Sequence, residues 1–259
     1  RIVYIFNSSI PSYNASSLQV VNVCQQISKD IGNITLITPD TGLKKTIYDH
    51  YGLRKNFEIK RIKLFKSFPK GIKYYLFSIY SIICSYSFKP DLYITRNYFT
   101  LFLLIILKKK VIFEVHSSLD IEGRVNNYIY DNLKLFNSRY IVNLIFITKS
   151  LKNFFYEKYA IKRKNYCILP SASNFKSKFP TIKQNKILKI GYFGLLNKSR
   201  GLDFICNLSK IDFENEYYIF GGSKKIINKI KKKSFNKNIF LNEYLPYKNV
   251  KKLMQKMDL

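Results

Sequence analysis

The stretch from residue 187 to residue 222 has the residue types and spacing that suit a phosphate group. An apolar run ends at Gly194, a short polar loop carries Lys198 and Arg200, and Gly201 precedes a helical pattern. A helix N-terminus offers unpaired N–H groups and the positive end of the helix dipole. Arginine adds a planar fork of donors that matches phosphate oxygens. The spacing therefore predicts a strand, loop and helix that together hold a diphosphate.

Such a loop is positioned by the sheet whose strand it follows, and the sequence pattern predicts two sheets. Short apolar runs alternate with helical periodicity along the chain, which predicts parallel sheets wrapped by helices. The polar segment 171–186 separates two such alternations and is typical of a linker. We therefore expect a Rossmann-like domain over residues 1–170 and a second over residues 187–259. The chain begins without Met and stops within a pattern, so we expect a fragment cut at both ends.

The charge of the chain allows three interpretations. The 259 residues include 45 Lys+Arg and 16 Asp+Glu, a net charge of +29. This excess is typical of nucleic-acid binding, of a compositional bias toward lysine, or of a protein that works against an anionic membrane. Lysines occur in every segment, which favours the bias over nucleic-acid binding, and we expect no nucleic-acid partner; the membrane interpretation fits both the excess and its scatter. The most apolar stretches, Tyr74–Phe88 and Leu101–Leu107, are too short to span a bilayer.

Metal chemistry is not expected either. The four cysteines lie far apart in sequence, and the chain has only two histidines, so neither type provides the spacing of a metal site. We therefore predict no metal and no cofactor.

Several short motifs, taken in order, resemble those of the retaining glycosyltransferases of family 4. The matching segments are DLYITR at 91–96, FEVH at 113–116, FITKSL at 146–151, GYFGLLNKSRG at 191–201 and FGG at 220–222. The resemblance implies an α/β protein with the GT-B fold. Its two Rossmann-like domains would face each other across a cleft, with the second domain incomplete because the family's pair of spaced glutamates would lie beyond Leu259.

The resemblance also implies a role for particular residues. His116 would be the catalytic residue, lying beside the transferred sugar. The remaining expected residues are Gly194, Lys198, Arg200 and Gly201 for the donor diphosphate, Asn14, Ala15, Ser16, Gly221, Gly222, Tyr244 and Leu245 for the nucleotide-sugar pocket, and Arg96 and Glu114 for the acceptor cleft.

Each of these residues also has a structural interpretation. His116 can be a histidine that is hydrogen-bonded in the core, and Arg96 can belong to a surface salt bridge. Ser16 is equally suited to cap a helix, and Gly221–Gly222 can form an ordinary turn after a strand. The chain also departs from the family, because Leu195 stands where many members have arginine, which leaves Arg200 as the main diphosphate ligand.

The resemblance implies transfer of a sugar from a nucleotide-diphosphate sugar to a hydroxyl, with retention of configuration. The acceptor would be a glycan or a lipid-linked molecule in cell-surface polysaccharide biosynthesis. The enzyme would be cytoplasmic, with a peripheral location at the inner face of the membrane as a further expectation. The alternatives are another GT-B enzyme, such as a nucleotide-sugar epimerase, and a basic nucleic-acid-binding protein.

Overall fold

The structure is a computed structural model that describes residues 1–40, 47–63, 69–119, 124–172, 187–196, 200–231, 236–245 and 247–259. These residues form two compact units, the first made of residues 1–49 and 53–172 and the second of the described residues from 187 to 259 together with residues 50–52. Both units are built from parallel strands joined by helices.

The first unit is organised around a seven-stranded parallel sheet with the order β3-β2-β1-β4-β5-β6-β7. Because the chain moves outward from β1 in both directions, the carboxyl ends of β1 and β4 adjoin at the point where the strand order reverses. Ligands of open α/β sheets bind at such a point. The strands are β1 (Ile2–Ile5), β2 (Ile34–Pro39), β3 (Glu58–Ile62), β4 (Leu92–Thr95), β5 (Val111–Val115), β6 (Ile141–Phe146) and β7 (Tyr166–Ile168).

The helices of the first unit connect these strands. They are α1 (Ala15–Asp30), α2 (Ile47–Tyr51), α3 (Lys70–Ser85), α4 (Tyr98–Ile106), α5 (Arg124–Leu133) and α6 (Lys149–Lys158). The periodicity of residues 125–136 predicts one continuous helix, but α5 ends at Leu133. Lys134 adopts a left-handed conformation, with φ of 45°, and a 3-10 turn follows that buries Phe136 completely.

The second unit contains a three-stranded parallel sheet among the described residues, with the order β10-β9-β8. Backbone groups of Asp258 and Leu259 pair with the other edge of β8, where the Leu259 carbonyl accepts from the Gly191 amide at 2.8 Å. The elements are β8 (Lys189–Phe193), α7 (Leu202–Ile211), β9 (Glu216–Gly222), α8 (Lys224–Lys231), β10 (Ile239–Glu243) and α9 (Tyr247–Met254).

Buried apolar strands supply most of the core of the first unit. In β5, Val111, Phe113 and Val115 share one face and are fully buried, and Glu114 on the opposite face is 7% exposed, as expected for a parallel strand that is covered on both faces. Aromatic rings extend this core, with Tyr98 packing edge-on against Phe113 at 4.9 Å. Within the described residues no helix is long and apolar enough to cross a bilayer.

Helices α3 and α4 are joined by a buried polar network rather than by apolar side chains alone. Asn97 caps α4 by accepting from the Thr100 amide at 3.0 Å, and its Nδ2 donates to Ser78 Oγ on α3 at 3.2 Å. The hydroxyl of Thr100 bonds the same Ser78 oxygen at 3.0 Å. Asn97 is 1% exposed, so its loss would leave the buried Thr100 amide without its capping acceptor and would remove one of the hydrogen bonds to Ser78.

Replacing this cap should therefore destabilise the protein more than replacing an exposed cap. We expect Asn97→Ala to lower the free energy of unfolding by about 2 kcal/mol or more, since the cap and a buried hydrogen bond are lost together. The matched control is Thr148→Ala, which removes the exposed cap of α6 and should cost about 1 kcal/mol. Urea unfolding measures both, and equal losses would contradict the buried network.

Candidate functional site

Three charged or titratable side chains meet at the carboxyl ends of β4 and β5. Arg96 directly follows β4, Glu114 lies in β5, and His116 directly follows β5. Arg96 Nε donates to Glu114 Oε2 at 2.7 Å, and its Nη2 lies 2.6 Å from the same oxygen. His116 Nε2 is 3.2 Å from that oxygen as well. The parallel register that aligns Thr95 with Phe113 brings the three groups together.

Burial makes this ion pair electrostatically strong. The Arg96 and Glu114 side chains are 7% and 9% exposed, so water screens their attraction only weakly. Burial alone would raise the pKa of Glu114, but the hydrogen bond from His116 and the charge and hydrogen bonds of Arg96 outweigh it, and the pKa falls below its usual value. Glu114 is therefore a carboxylate at neutral pH. The surface salt bridge considered for Arg96 is wrong, because the pair is buried.

The protonation of Glu114 determines which nitrogen of His116 carries a proton. A carboxylate only accepts hydrogen bonds, so the Nε2 atom facing it must be the donor. In the neutral ring Nδ1 then has a free lone pair and can accept a hydrogen bond. The His116 side chain is 24% exposed, which leaves part of the ring open to a ligand. His116 is therefore not a histidine enclosed in the core.

Two further residues belong to this cluster and were not predicted from the sequence. Gln19 on α1 accepts from Arg96 Nη1 at 3.3 Å, which ties the first helix to the ion pair. Tyr4 on β1 is completely buried, and its pKa is raised well above its usual value, first by burial and then by the charge of Glu114. Gln19 lies one helical turn after the predicted residue Ser16, so the helical periodicity of α1 could have placed it on the same face.

The predicted residues Asn14, Ala15 and Ser16 lie at the start of α1, on the carboxyl edge of the same sheet. Asn14 occupies the N-cap position, so the suggestion that Ser16 caps the helix is wrong. The Asn14 carbonyl accepts from the amides of Ser17 and Leu18, but its side chain makes no capping hydrogen bond. All three predicted residues are exposed, and no acidic side chain lies in the first turn. This helix start can therefore receive an anionic or hydroxyl-bearing ligand.

In the second unit the two glycine turns touch each other. The Gly194 amide donates to the Phe220 carbonyl at 3.0 Å. A Cβ atom on Gly221 would lie 1.8 Å from the Gly194 carbonyl oxygen, and Gly221 has φ of +128°. Tyr244 joins them, because its amide donates to the Gly222 carbonyl at 3.2 Å. Leu245 follows Tyr244 just after β10. The structure thus gathers the predicted residues Gly194, Gly221, Gly222 and Tyr244 at one edge.

The helix that starts beside these glycines lacks a side-chain cap. The N-cap of α7 is Gly201, which has φ of +75° and no side chain that could cap the helix. Arg200 is exposed immediately before it, and Lys198 lies outside the described residues. Asp203 occupies the first turn of α7 and already interacts favourably with the helix dipole. The amides of this turn and Arg200 provide donors for an anionic ligand.

No group of three or more histidine, cysteine, aspartate or glutamate side chains suited to a metal occurs in the part of the chain that the structure describes.

Known structures of low sequence identity share this architecture. Anabaena Alr3699/HepE in complex with UDP and glucose has a TM-score of 0.68 at 11% identity, over 98% of this chain and 72% of that one. WaaG, a glycosyltransferase involved in lipopolysaccharide biosynthesis, has a TM-score of 0.67 at 10% identity, over 97% and 72%. A UDP-GlcNAc 2-epimerase from Neisseria meningitidis has a TM-score of 0.62 at 13% identity, over 98% and 75%.

These likenesses show the fold, which is the GT-B fold of glycosyltransferases, with a seven-stranded parallel sheet and a smaller three-stranded one. The predicted fold class is thereby confirmed. No family model and no curated protein sequence matches the chain.

The buried ion pair should make the first unit sensitive to acid. Because the folded-state pKa of Glu114 is depressed, its stabilising contribution is present above the unfolded-state value and is lost as the pH falls through the folded-state value. We expect Glu114→Gln to lower the free energy of unfolding at pH 7 by about 3 kcal/mol, since it leaves Arg96 buried without its counter-charge. The variant should also lose part of the dependence on pH in the acidic range.

Urea unfolding as a function of pH measures this effect, and Glu157→Gln on the exposed surface of α6 is the control. The control should follow the wild-type profile. A Glu114→Gln profile parallel to that of the wild type would mean that the pair does not govern acid sensitivity.

The contact between the two glycine turns leads to a second prediction, on stability. Gly221→Ala should destabilise the protein by at least about 3 kcal/mol, because its Cβ would overlap the Gly194 backbone in a strained conformation. Gly201→Ala also has positive φ but meets nothing within 4 Å, so it should cost only about 1–2 kcal/mol. Thermal unfolding compares the two. A Gly221→Ala loss no larger than that of Gly201→Ala would contradict the close approach.

Proposed function

We propose that this protein is a retaining glycosyltransferase of family 4 that moves a sugar from a nucleotide-diphosphate sugar to a hydroxyl. The observation that carries the proposal is the cluster of Arg96, Glu114 and His116 at the carboxyl edge of the first sheet. The GT-B fold and the UDP-sugar ligands of its structural neighbours add support. The resemblance of the motifs to family 4 supports retention.

The first unit contributes the positioning of the sugar. Glu114 holds the imidazole of His116 so that Nδ1 accepts a hydrogen bond from a hydroxyl of the transferred sugar. The hydrogen bond from His116 and the charge of Arg96 together keep the pKa of Glu114 low, so the carboxylate holds the neutral histidine in one tautomer. Glu114 acts as an orienting partner rather than as a nucleophile, because one of its oxygens already contacts both neighbours.

The second unit contributes the stabilisation of the leaving group. During transfer the bond from the anomeric carbon to the diphosphate oxygen breaks and a bond to the acceptor oxygen forms, while the acceptor proton passes to the departing diphosphate. Negative charge therefore grows on the diphosphate. The amides at the start of α7, Lys198 and Arg200 bind that charge, and Gly194 and Gly221–Gly222 let the backbone approach the nucleotide.

The acceptor is proposed to be a glycan or lipid-linked molecule of cell-surface polysaccharide biosynthesis. The enzyme would reach such an acceptor as a peripheral protein at the inner face of the membrane. This assignment is supported by the excess of basic residues, which favours contact with anionic lipid.

Turnover of a panel of nucleotide sugars, measured as release of the nucleoside diphosphate, tests the assignment. We expect Arg200→Ala and His116→Ala each to lower kcat/KM by about a hundredfold, because they remove charge stabilisation and sugar positioning. The matched controls are Lys210→Ala, at the other end of α7, and His50→Ala, which replaces the other histidine of the chain. Unchanged turnover in both site variants would show that the site lies elsewhere.

A nucleotide-sugar epimerase is the second candidate, because an epimerase is among the structural neighbours. The two activities differ in their products. A transferase releases UDP and attaches the sugar to an acceptor, whereas an epimerase converts one UDP-sugar into another. Incubation with UDP-GlcNAc followed by NMR of the sugar nucleotide separates them. Accumulation of a C2-epimerised UDP-sugar would overturn the transferase assignment.

A further inference from the structure

Helix α3 has the reverse of the polarity expected for a helix on a protein surface. Its serines Ser78, Ser81 and Ser85 are completely buried. Ser85 Oγ lies 2.8 Å from the Tyr93 hydroxyl, and Ser78 receives hydrogen bonds from Asn97 and Thr100 on the loop into α4 and on α4 itself. The hydroxyls of this helix therefore point into the protein, where they are satisfied.

The apolar side chains of α3 instead point outward. Ile72, Ile79, Tyr80, Ile83 and the adjacent Tyr86 are each between 42% and 58% exposed. Ile72, Ile79 and Ile83 are spaced by seven and four residues, so they lie on one face of the helix. A helix that faces water normally presents polar side chains on that side. This face is therefore suited to an apolar environment.

Helix α4 extends the same surface. The ring of Phe99 lies 4.7 Å from that of Tyr75 on α3 and 5.9 Å from that of Phe102 one turn later. Ile106 follows on the same side and is 56% exposed. We call the outward surface formed by these residues the α3–α4 face: Ile72, Tyr75, Ile79, Tyr80, Ile83, Tyr86, Phe99, Phe102 and Ile106.

Lysines border the α3–α4 face. Residues 69–110 contain six lysines and a single acidic residue, Asp91. Lys89 and the run Lys108–Lys110 lie where the chain turns from α3 into β4 and from α4 into β5. Lys109 Nζ lies 5.2 Å from the ring centroid of Tyr86, so the cations adjoin the apolar side chains. An apolar face bordered by lysines complements a surface that is apolar inside and anionic at its boundary.

A second exposed apolar surface of the protein is bordered by acidic residues rather than by a run of lysines. On α7 and just beyond it, Phe204, Ile211 and Phe213 are exposed to a greater extent than the α3 isoleucines. Asp203, Asp212 and Glu214 stand beside them in sequence. Exposed apolar residues alone therefore do not identify the partner, whereas the sign of the neighbouring charge separates the two surfaces.

We propose that the α3–α4 face docks onto an anionic lipid bilayer. The two helices lie in the plane of the membrane with Ile79, Ile83 and Ile106 among the upper acyl chains. Lys89 and Lys108–Lys110 extend to the lipid phosphates. This inference rests on the proposed peripheral location of the enzyme, but vesicle binding is measured without sugar transfer, so the two proposals fail independently.

The chain contains no tryptophan, so a single introduced one reports on its own surroundings. Ile83→Trp places the probe on the α3–α4 face, and Phe204→Trp on α7 is its matched control. With vesicles of mixed phosphatidylcholine and phosphatidylglycerol, we expect a blue shift and quenching by brominated acyl chains for Ile83→Trp alone. Equal behaviour of the two probes would overturn the proposal.

Vesicle sedimentation measures the contribution of the lysines. We expect the triple variant Lys108→Gln, Lys109→Gln, Lys110→Gln to bind the anionic vesicles at least about tenfold more weakly than the wild type. The control removes three exposed lysines of α8 by Lys225→Gln, Lys229→Gln and Lys231→Gln, and it should bind within about twofold of the wild type.

Equal losses in the two lysine variants would show that only the overall charge matters, and would overturn the α3–α4 face as the docking surface. Self-association is the competing occupant. If Ile79→Ser with Ile83→Ser converts a dimer to a monomer in sedimentation while vesicle binding is unchanged, the face is an interface between copies of the protein.

Discussion

The buried contact between Arg96 and Glu114 is the interaction on which the first unit's site depends. Two opposite charges that are each less than a tenth exposed must stay paired, because either one alone would be very costly to bury. The pair fixes the carboxyl ends of β4 and β5 relative to each other. It also draws in Gln19 from α1 and His116 from the end of β5. A requirement for charge neutralisation thus assembles the residues proposed to handle the sugar.

The second unit meets a different constraint, which is steric. Its proposed ligands for the diphosphate are the amides at the start of α7 together with Lys198 and Arg200, and its glycine turns are proposed to let the backbone approach the nucleotide. The contact between Gly194 and Gly221 leaves no space for a Cβ atom, so the two turns come together as bare backbone. The two units therefore differ: the first depends on a buried ion pair, and the second on a close backbone contact between glycines. Both arrangements lie at the carboxyl ends of parallel strands, as is usual for open α/β sheets.

Much of the fold could be predicted from the sequence, because local patterns dominate it. The strands Leu92–Thr95 and Val111–Val115 are short apolar runs with clear ends, and Asn97 marks the start of α4. The helix over residues 125–136 was predicted too long, because the left-handed conformation of Lys134 has no signature in the sequence. The polar network of Ser78 with Asn97 was also invisible, since it joins residues on two elements through tertiary packing.

The candidate site was predictable only in part. His116, Glu114 and Arg96 follow from motifs at strand ends, but nothing local shows that the pair is buried or that Gln19 and Tyr4 complete it. These features depend on which strands become neighbours, which the order β1-β4-β5 decides. The buried face of α3 was not predictable either, because its alternating serines and isoleucines do not indicate which side packs against the sheet.

Glu114 is proposed to fix His116 in one tautomer so that the free ring nitrogen accepts a hydrogen bond from the donor sugar. The chain has only two histidines, so nitrogen NMR of the ¹⁵N-labelled protein resolves His116, and His50→Gln completes the assignment. In the free protein we expect the neutral imidazole to carry its proton on Nε2 and to leave Nδ1 bare. Nδ1 should then shift when a UDP-sugar is added but not when UDP alone is added. The opposite tautomer, or an Nδ1 resonance that no nucleotide sugar perturbs, would contradict this role of His116.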